Sequence, residues 1–292
     1  MKPAPFEYHV PDSLEQALGL MSQYADGAKI LAGGQSLVPA MNFRVIQPGV
    51  LIDLNRVAEL SYIREEGDVI RVGSMARERH LEFDASIAKQ IPLLHEATPF
   101  IAHPQIRNRG TIGGSIVNAD PAAELPVLMI ALNARLKARN ISSERWIDAQ
   151  DFFAGMFTTT LEPDEILVEI ELPSMPGRTG WSFMEIAPRA GDYAMMGVAV
   201  LVTLDESGKC KQAKLVYLNA GDGPMEAKES KKILEGETLN EKLIDSAATL
   251  ASENEITPFG NMHASIDFQR HLAKVLTQKA LKLATQRAGE QQ

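Results

Sequence analysis

Two stretches of the chain pair glycines with hydroxyl and amide side chains: Ala32-Gly33-Gly34-Gln35-Ser36-Leu37 and Arg109-Gly110-Thr111-Ile112-Gly113-Gly114-Ser115. Paired glycines let backbone N–H groups turn toward an anion at close range, and a following helical turn adds its N-terminal partial charge. The first loop follows an apolar run and reads as a pyrophosphate cradle without a lysine, although alone it is better read as only a tight turn. The second is followed by Asn118, Asp120 and Pro121. Hydroxyls and amides suit phosphate oxygens or ribityl hydroxyls, and a carboxylate suits a ribose or ribityl diol. Two such loops on separate units predict a dinucleotide held between them.

Other chemistries fit less well. A Rossmann site would use Asp53, which ends a strand about twenty residues after Gly33. However, no G-x-G-x-x-G occurs, Pro39 interrupts the would-be helix, and Asp53 also suits a strand-end cap. A P-loop is excluded because G-x-x-x-x-G-K is absent. His9, His80, His95, His103, His263 and His271 form no H-E-x-x-H or close metal pair. Cys210 is the sole cysteine, so this chain can form no internal disulfide and cannot supply the four thiolates of an iron–sulfur cluster. It has no histidine nearby in sequence to make it a nucleophile.

The loops sit in 292 residues, more than one domain usually holds. Net charge is -9, from 38 acidic and 29 basic residues without a basic block, which argues against nucleic-acid binding. Apolar runs such as Met195 to Val202 are too short to span a bilayer, and the N-terminus lacks the apolar core of a signal peptide, so the cytoplasm is expected. Ser13 and Gln16 have capping-box spacing and open a helix from Leu14 to Ala25, with Gly27 as its stop. The apolar runs Ala28 to Ala32 and Val50 to Leu54 read as strands joined through the first glycine turn. From Arg56 an α+β texture follows, with a helical stretch around Leu125 to Leu136 and a half-exposed strand over Glu165 to Pro173. Pro173, Pro176, Gly177 and Gly180 mark a linker. Strands at Ala194 to Leu204 and Ala213 to Leu218 flank a hairpin turn, Asp205 to Gly208. Asn219 to Pro224 reads as a connection. Phe268, Leu272, Val275, Leu276 and Leu283 then recur at helical spacing, opposite a solvated cationic face of Arg270, Lys274 and Lys282. The end, Ala288 to Gln292, reads as frayed.

Ala32 to Leu37, the stretch Pro104 to Ser115, Asn118-Ala-Asp-Pro121 and Gly191-Asp-Tyr193 together resemble the FAD-binding medium subunit of the xanthine dehydrogenase and carbon monoxide dehydrogenase family of molybdenum hydroxylases. The resemblance runs from Phe6 to the C-terminal helix. It implies an α+β fold: a two-lobed vanillyl-alcohol-oxidase-like (PCMH-type) FAD-binding domain, with lobes at 1–55 and 56–176, and a C-terminal α+β flavoprotein domain at 177–292. It implies non-covalent FAD contacted by Ala32, Gly33, Gly34, Gln35, Ser36, Leu37, Gly110, Thr111, Gly113, Gly114 and Ser115, with Asp120 on a ribityl or ribose hydroxyl. Ala102 and Tyr193 would lie near the isoalloxazine, although Tyr193 also suits a buried core position; His103 is another neighbour of the second loop. Ser115 replaces the asparagine common in relatives, and both hydrogen-bond.

The resemblance further implies partners: a large molybdenum-binding subunit and a small subunit with [2Fe-2S] clusters, assembled as a dimer of heterotrimers. The molybdenum-pterin and the clusters would reside on those partners. The chain would be the FAD electron-transfer subunit of a molybdenum-containing oxidoreductase, with no catalytic residue or metal of its own. Two alternatives stand beside this: a self-sufficient FAD-dependent oxidase or dehydrogenase, and a non-catalytic nucleotide-binding module. The organic substrate and the electron acceptor are not specified by these residues.

Overall fold

In a computed structural model, which describes residues 1–290, the chain forms three sheets in succession plus a small hairpin. The first sheet is parallel, ordered β1 (Glu7–His9), β3 (Val50–Asp53), β2 (Ala28–Leu31). It is built by α1 (Leu14–Tyr24) and α2 (Leu37–Asn42). Ser13 caps α1 by accepting from Gln16 N at 3.3 Å. The helix stops at Ala25, which takes φ 39°, two residues before the expected Gly27. Strands β2 and β3 are parallel neighbours crossed over by α2, which corrects the expected glycine turn between them. Pro39 stands in the first turn of α2, where its missing N–H would have no partner, so it does not interrupt the helix.

The second sheet is antiparallel: β4 (Ile63–Glu66), β5 (Val69–Gly73), β10 (Ile166–Pro173), β6 (Arg135–Arg139), β7 (Glu144–Asp148). One face is apolar, through Ile70, Val72, Leu136, Ala138, Ile170 and Leu172, and lies in one core with the helices between β5 and β6. These are α3 (Glu78–Phe83), α4 (Ala85–Gln90), α5 (Pro92–Ala97), α6 (Pro104–Arg107), α7 (Ile112–Asn118) and α8 (Glu124–Ala131). On β10 the acidic positions are closed over by ion pairs: Arg71 meets Glu169 at 2.7 Å and Glu171 at 2.8 Å, and Arg135 also meets Glu171. This central strand is therefore more buried than its half-exposed pattern predicts. The expected helix over Leu125 to Leu136 ends at Ala131, because β6 begins at Arg135. Every residue from Leu125 to Ala131 is buried, as suits a helix covered on all sides. It packs beneath the third sheet, against β12 (Met196–Leu204) and β13 (Cys210–Leu218). After β7 come α9 (Ala149–Phe152) and the hairpin of β8 (Phe153–Gly155) and β9 (Thr158–Thr159).

The third sheet is an antiparallel meander, β11 (Thr179–Ile186), β12, β13, β14 (Met225–Glu226), followed by α10 (Lys228–Leu234), α11 (Glu241–Leu250) and α12 (Ile266–Glu290). The Asp205 to Gly208 turn forms as expected, with Asp205 Oδ1 accepting from Ser207 N at 2.8 Å and Lys209 N at 2.9 Å. Gly180 is not linker but lies inside β11, where a Cβ would collide with the Ala284 carbonyl of α12. That close approach selects small residues on the helix. The buried stripe is Gln269, Ala273, Leu276, Thr277, Ala280, Leu281, Ala284 and Ala288, rotated from the larger residues expected, and Phe268 is exposed. Tyr217 and Thr277 hydroxyls meet at 2.6 Å in this core. The cationic face is engaged rather than merely solvated: Arg270 donates to Glu253 O, Lys274 pairs with Asp245 and Lys282 with Glu241. Ala288 is buried within α12 rather than frayed; residues 291 and 292 lie outside the described residues. No helix among the described residues is long and apolar enough to cross a membrane.

Candidate functional site

The first glycine loop leaves the C-terminal end of β2, beside the C-terminal end of the parallel β3, the usual ligand side of such a sheet. The second is stitched to the segment that follows β5. Glu78 N donates to Gly110 O at 3.1 Å, Ile112 N to Ala76 O at 3.0 Å, and Gly113 N to Ser74 O at 2.9 Å. Although about eighty residues separate them in sequence, the two loops touch. A Cβ on Gly33 would lie 2.5 Å from Arg109 O and 2.8 Å from Gly110 Cα, and one on Gly114 would lie 3.4 Å from Ala32 Cβ. Gly34 takes φ +74°, in the left-handed region where a Cβ is strained.

The loops differ in the donors they leave open. The N–H groups of Gly33, Gly34, Gln35, Ser36 and Leu37 meet no protein acceptor among the described residues; the first bond after them is Val38 N to Gly34 O. Gln35 folds back, with its Nε2 donating to Gly33 O at 2.9 Å, which stiffens the loop. In the second loop most donors are used. Gly110 N reaches Ile106 O at 2.7 Å, Ser115 N reaches Thr111 O at 3.1 Å, and Gly114 N reaches Thr111 Oγ1 at 3.1 Å as the N-cap of α7. What this loop leaves open are Thr111 N and the half-buried Ser115 hydroxyl, which have no protein partner among the described residues.

Past α7 the chain turns at Ala119, with φ 48°, into Asp120, whose Oδ1 accepts from Ala122 N at 2.9 Å. Burial raises the Asp120 carboxyl above the usual range. Around it lie three acids, Glu78, Glu124 and Glu185, that the sequence pattern does not single out. Burial, with Asp120 adding, pushes Glu124 up to about 7. Burial, with Glu124 adding, pushes Glu78 and Glu185 each up to about 8. Glu78 Oε2 and Glu185 Oε2 are inaccessible and unpartnered among the described residues. Glu78, Glu124 and Glu185 come from α3, α8 and β11, so no local spacing links them. No group of three acidic, histidine or cysteine side chains among the described residues is arranged to hold a metal.

Arg107 fixes the far wall. It is 5% exposed, its Nε donates to Glu82 Oε2 at 2.9 Å, and its Nη1 donates to Ile101 O at 2.8 Å and to Ala102 O at 3.2 Å. This clamp accompanies the left-handed backbone of Ala102, at φ 43°. Next to Ala102, the His103 imidazole presses on Gly191, which brings the Gly191-Asp192-Tyr193 loop to the same rim. Tyr193 is 70% exposed, which removes the buried-core alternative. Its phenol is raised by desolvation and by Asp120 and Glu124, so it faces the acids beside the second loop. The two loops thus touch each other, Ala102 and His103 adjoin the Gly191 loop, and Tyr193 senses the charges of Asp120 and Glu124.

Two competing assignments are settled. Asp53 accepts from Tyr8 Oη and from Asn55 N at 2.9 Å, capping the turn after β3, and so acts as the strand-end cap. Cys210 is buried, with its thiol pushed up to about 12 by burial and by Glu235, the opposite of an activated nucleophile.

Residues 4–175 match the family of the FAD binding domain in molybdopterin dehydrogenase, and residues 181–284 match the CO dehydrogenase flavoprotein C-terminal domain. The chain is 41% identical to the 6-hydroxypseudooxynicotine dehydrogenase complex subunit alpha of Paenarthrobacter nicotinovorans, across 99% of this chain and 97% of that one. It is 34% identical to the carbon monoxide dehydrogenase medium chain of Afipia carboxidovorans, across 99% of both. Among solved structures it superposes on carbon monoxide dehydrogenase from Hydrogenophaga pseudoflava with a TM-score of 0.95 at 36% identity, covering 98% of this chain and 99% of that one. With family models covering both of its halves and relatives aligned end to end, the chain belongs to the FAD-binding medium subunits of the molybdenum hydroxylases.

Proposed function

We propose that the chain holds one FAD non-covalently between its two glycine loops and relays electrons from the iron–sulfur clusters of a partner subunit to an external acceptor. The observation that carries this is the run of open N–H groups from Gly33 to Leu37, set against the second loop at a distance only glycine permits. Such a cradle fits a diphosphate. When bound, FAD exchanges electrons singly or in pairs, and so joins one-electron clusters to a two-electron acceptor.

The chain's own residues bind and orient. Ala32 to Leu37 hold the diphosphate, while Gly110 to Ser115 close the opposite wall and offer the Ser115 hydroxyl. Asp120 takes a ribityl or ribose hydroxyl, and Ala102 and Tyr193 border the isoalloxazine. Residues 1–55 and 56–176 are the two lobes, and 177–292 form the C-terminal domain that carries Tyr193. With one cysteine the chain holds no cluster itself, so a small [2Fe-2S] subunit and a large molybdenum-binding subunit complete a cytoplasmic dimer of heterotrimers.

Affinity purification of the tagged chain from its native source tests the assignment. One FAD per chain is expected, together with a cysteine-rich iron protein and a large molybdenum protein, and acid should release the flavin into the supernatant. A chain recovered without flavin, or with flavin that stays attached after denaturation, contradicts it.

A further inference from the structure

The open N–H groups of the first loop are neutral donors, whereas the diphosphate assigned to them carries two negative charges in a chain of net charge -9. The positive charge that could meet it lies in two arginines. Arg109 is exposed, its guanidinium makes no hydrogen bond, and it lies in no ion pair within 4 Å among the described residues. Its carbonyl lies against Gly33, so its backbone forms part of the junction between the loops. Arg77 stands at the same junction with both ends of its guanidinium committed. One nitrogen donates to Arg109 O and the other to Asn55 Oδ1 at 2.6 Å, while Asn55 Nδ2 donates onward to Ala32 O at 3.0 Å. One side chain therefore ties the second loop, the end of β3 and the first loop together. The nearby carboxylate, Asp53, is already occupied by Tyr8 and Asn55.

Building on the FAD assignment above, we propose that Arg109 supplies the positive charge that meets the dinucleotide's diphosphate, and that Arg77 is the positioning residue that holds the two loops at the spacing this requires. The Arg77 and Arg109 charges act on each other, and the one carboxylate among the described residues that acts on both, Asp53, is already hydrogen-bonded by Tyr8 and Asn55. Burial and the Arg109 charge hold Arg77 below its ordinary range even though Asp53 pulls it the other way, and Arg109 also lowers Asp53. A bound diphosphate relieves that repulsion, so like-charge crowding at the junction favours an anionic ligand over a neutral one.

The test is FAD titration of the full chain and its Arg109→Gln, Arg109→Lys and Arg77→Gln variants at low and high salt. For Arg109→Gln the Kd should rise roughly tenfold at low salt, and the gap should narrow at high salt because screening already removes the charge contribution. Arg109→Lys should keep most of the affinity and the salt dependence. Arg77→Gln should weaken FAD binding at both salt levels, since it loosens the spacing as well as the charge. Inorganic pyrophosphate should raise the melting temperature of the FAD-free wild type but not of Arg109→Gln. If Arg109→Gln binds FAD with wild-type Kd and salt slope, the inference is wrong while the FAD site stands. If the wild-type chain binds no FAD at all, the proposed function fails and takes this inference with it.

Discussion

Gly33→Ala probes the junction of the two loops most sharply. The added Cβ would lie 2.5 Å from Arg109 O and 2.8 Å from Gly110 Cα, both backbone atoms that cannot rotate away. Relief requires the loops to part by about 1 Å, the shortfall from ordinary contact. Such overpacking costs about 1–3 kcal/mol locally. The open N–H groups of Gly33 to Leu37 would then retreat from a diphosphate that also touches the second loop. Losing one or two hydrogen bonds to a charged group, at roughly 1.5–3 kcal/mol each, corresponds to a rise in the FAD Kd of about tenfold at the least and more than a hundredfold when two are lost. Fluorescence titration of the apo chain with FAD measures this, and calorimetry of the same samples shows whether the fold survives. A Kd within about threefold of wild type, at an unchanged melting temperature, would refute the close-packed junction as the site; threefold is only about 0.7 kcal/mol.

Other outcomes follow from the same geometry. Gly34→Val and Gly114→Val should each weaken FAD binding strongly while circular dichroism stays native, the first through its φ of +74° and the second through its approach to Thr111 and Ala32. Gly180→Val should instead lower the melting temperature by several degrees before FAD affinity is considered, because the side chain displaces α12 from β11. Arg107→Gln should destabilise the chain by leaving the Ile101 and Ala102 carbonyls without their donor and Glu82 with Arg79 alone, and free the Ala102 loop, detected as faster hydrogen exchange over residues 99–103. The raised carboxyls give a pH dependence: Glu78 and Glu185 titrate near 8 in the folded chain, against 4.5 when unfolded. Their contribution to stability is therefore complete below about 4.5 and lost as pH rises toward 8. The melting temperature of the FAD-free chain should fall over that window, and Glu185→Gln should flatten part of the fall.

Much of the architecture is legible in sequence wherever a pattern is local. Ser13 capping α1 and the Asp205 to Gly208 hairpin turn depend on neighbouring residues, and both form as read, whereas the first glycine loop leads into α2 instead of turning directly into β3. Patterns fail where a distant element sets the environment. Glu7–His9 is a three-residue, largely exposed strand with no periodicity, recruited only because β3 lies beside it. The apolar stripe of α12 is displaced toward Ala273, Ala280 and Ala284 because Gly180 lets the helix sink onto the sheet, so small residues lie inside and Phe268 lies out. Within the site, the glycines announce a cradle, but Glu124, Glu185, Arg77 and Arg107 carry no local signal. Their importance comes from burial and from partners many residues away, such as Arg107 with Glu82 and Arg77 with Asn55. Nor does sequence reveal that the two loops differ, since that depends on Ser74 and Ala76 accepting the N–H groups of Gly113 and Ile112.

The relay assignment rests on the flavin receiving its electrons from partner clusters rather than from an organic molecule bound to this chain. The direct measurement is anaerobic stopped-flow absorbance of the flavin, in the purified complex and in the isolated FAD-loaded chain, each mixed with an organic substrate that the complex oxidises. The flavin should bleach in the complex and keep its absorbance in the isolated chain. Bleaching of the isolated chain as fast as the complex would contradict it and identify a self-sufficient flavoenzyme instead.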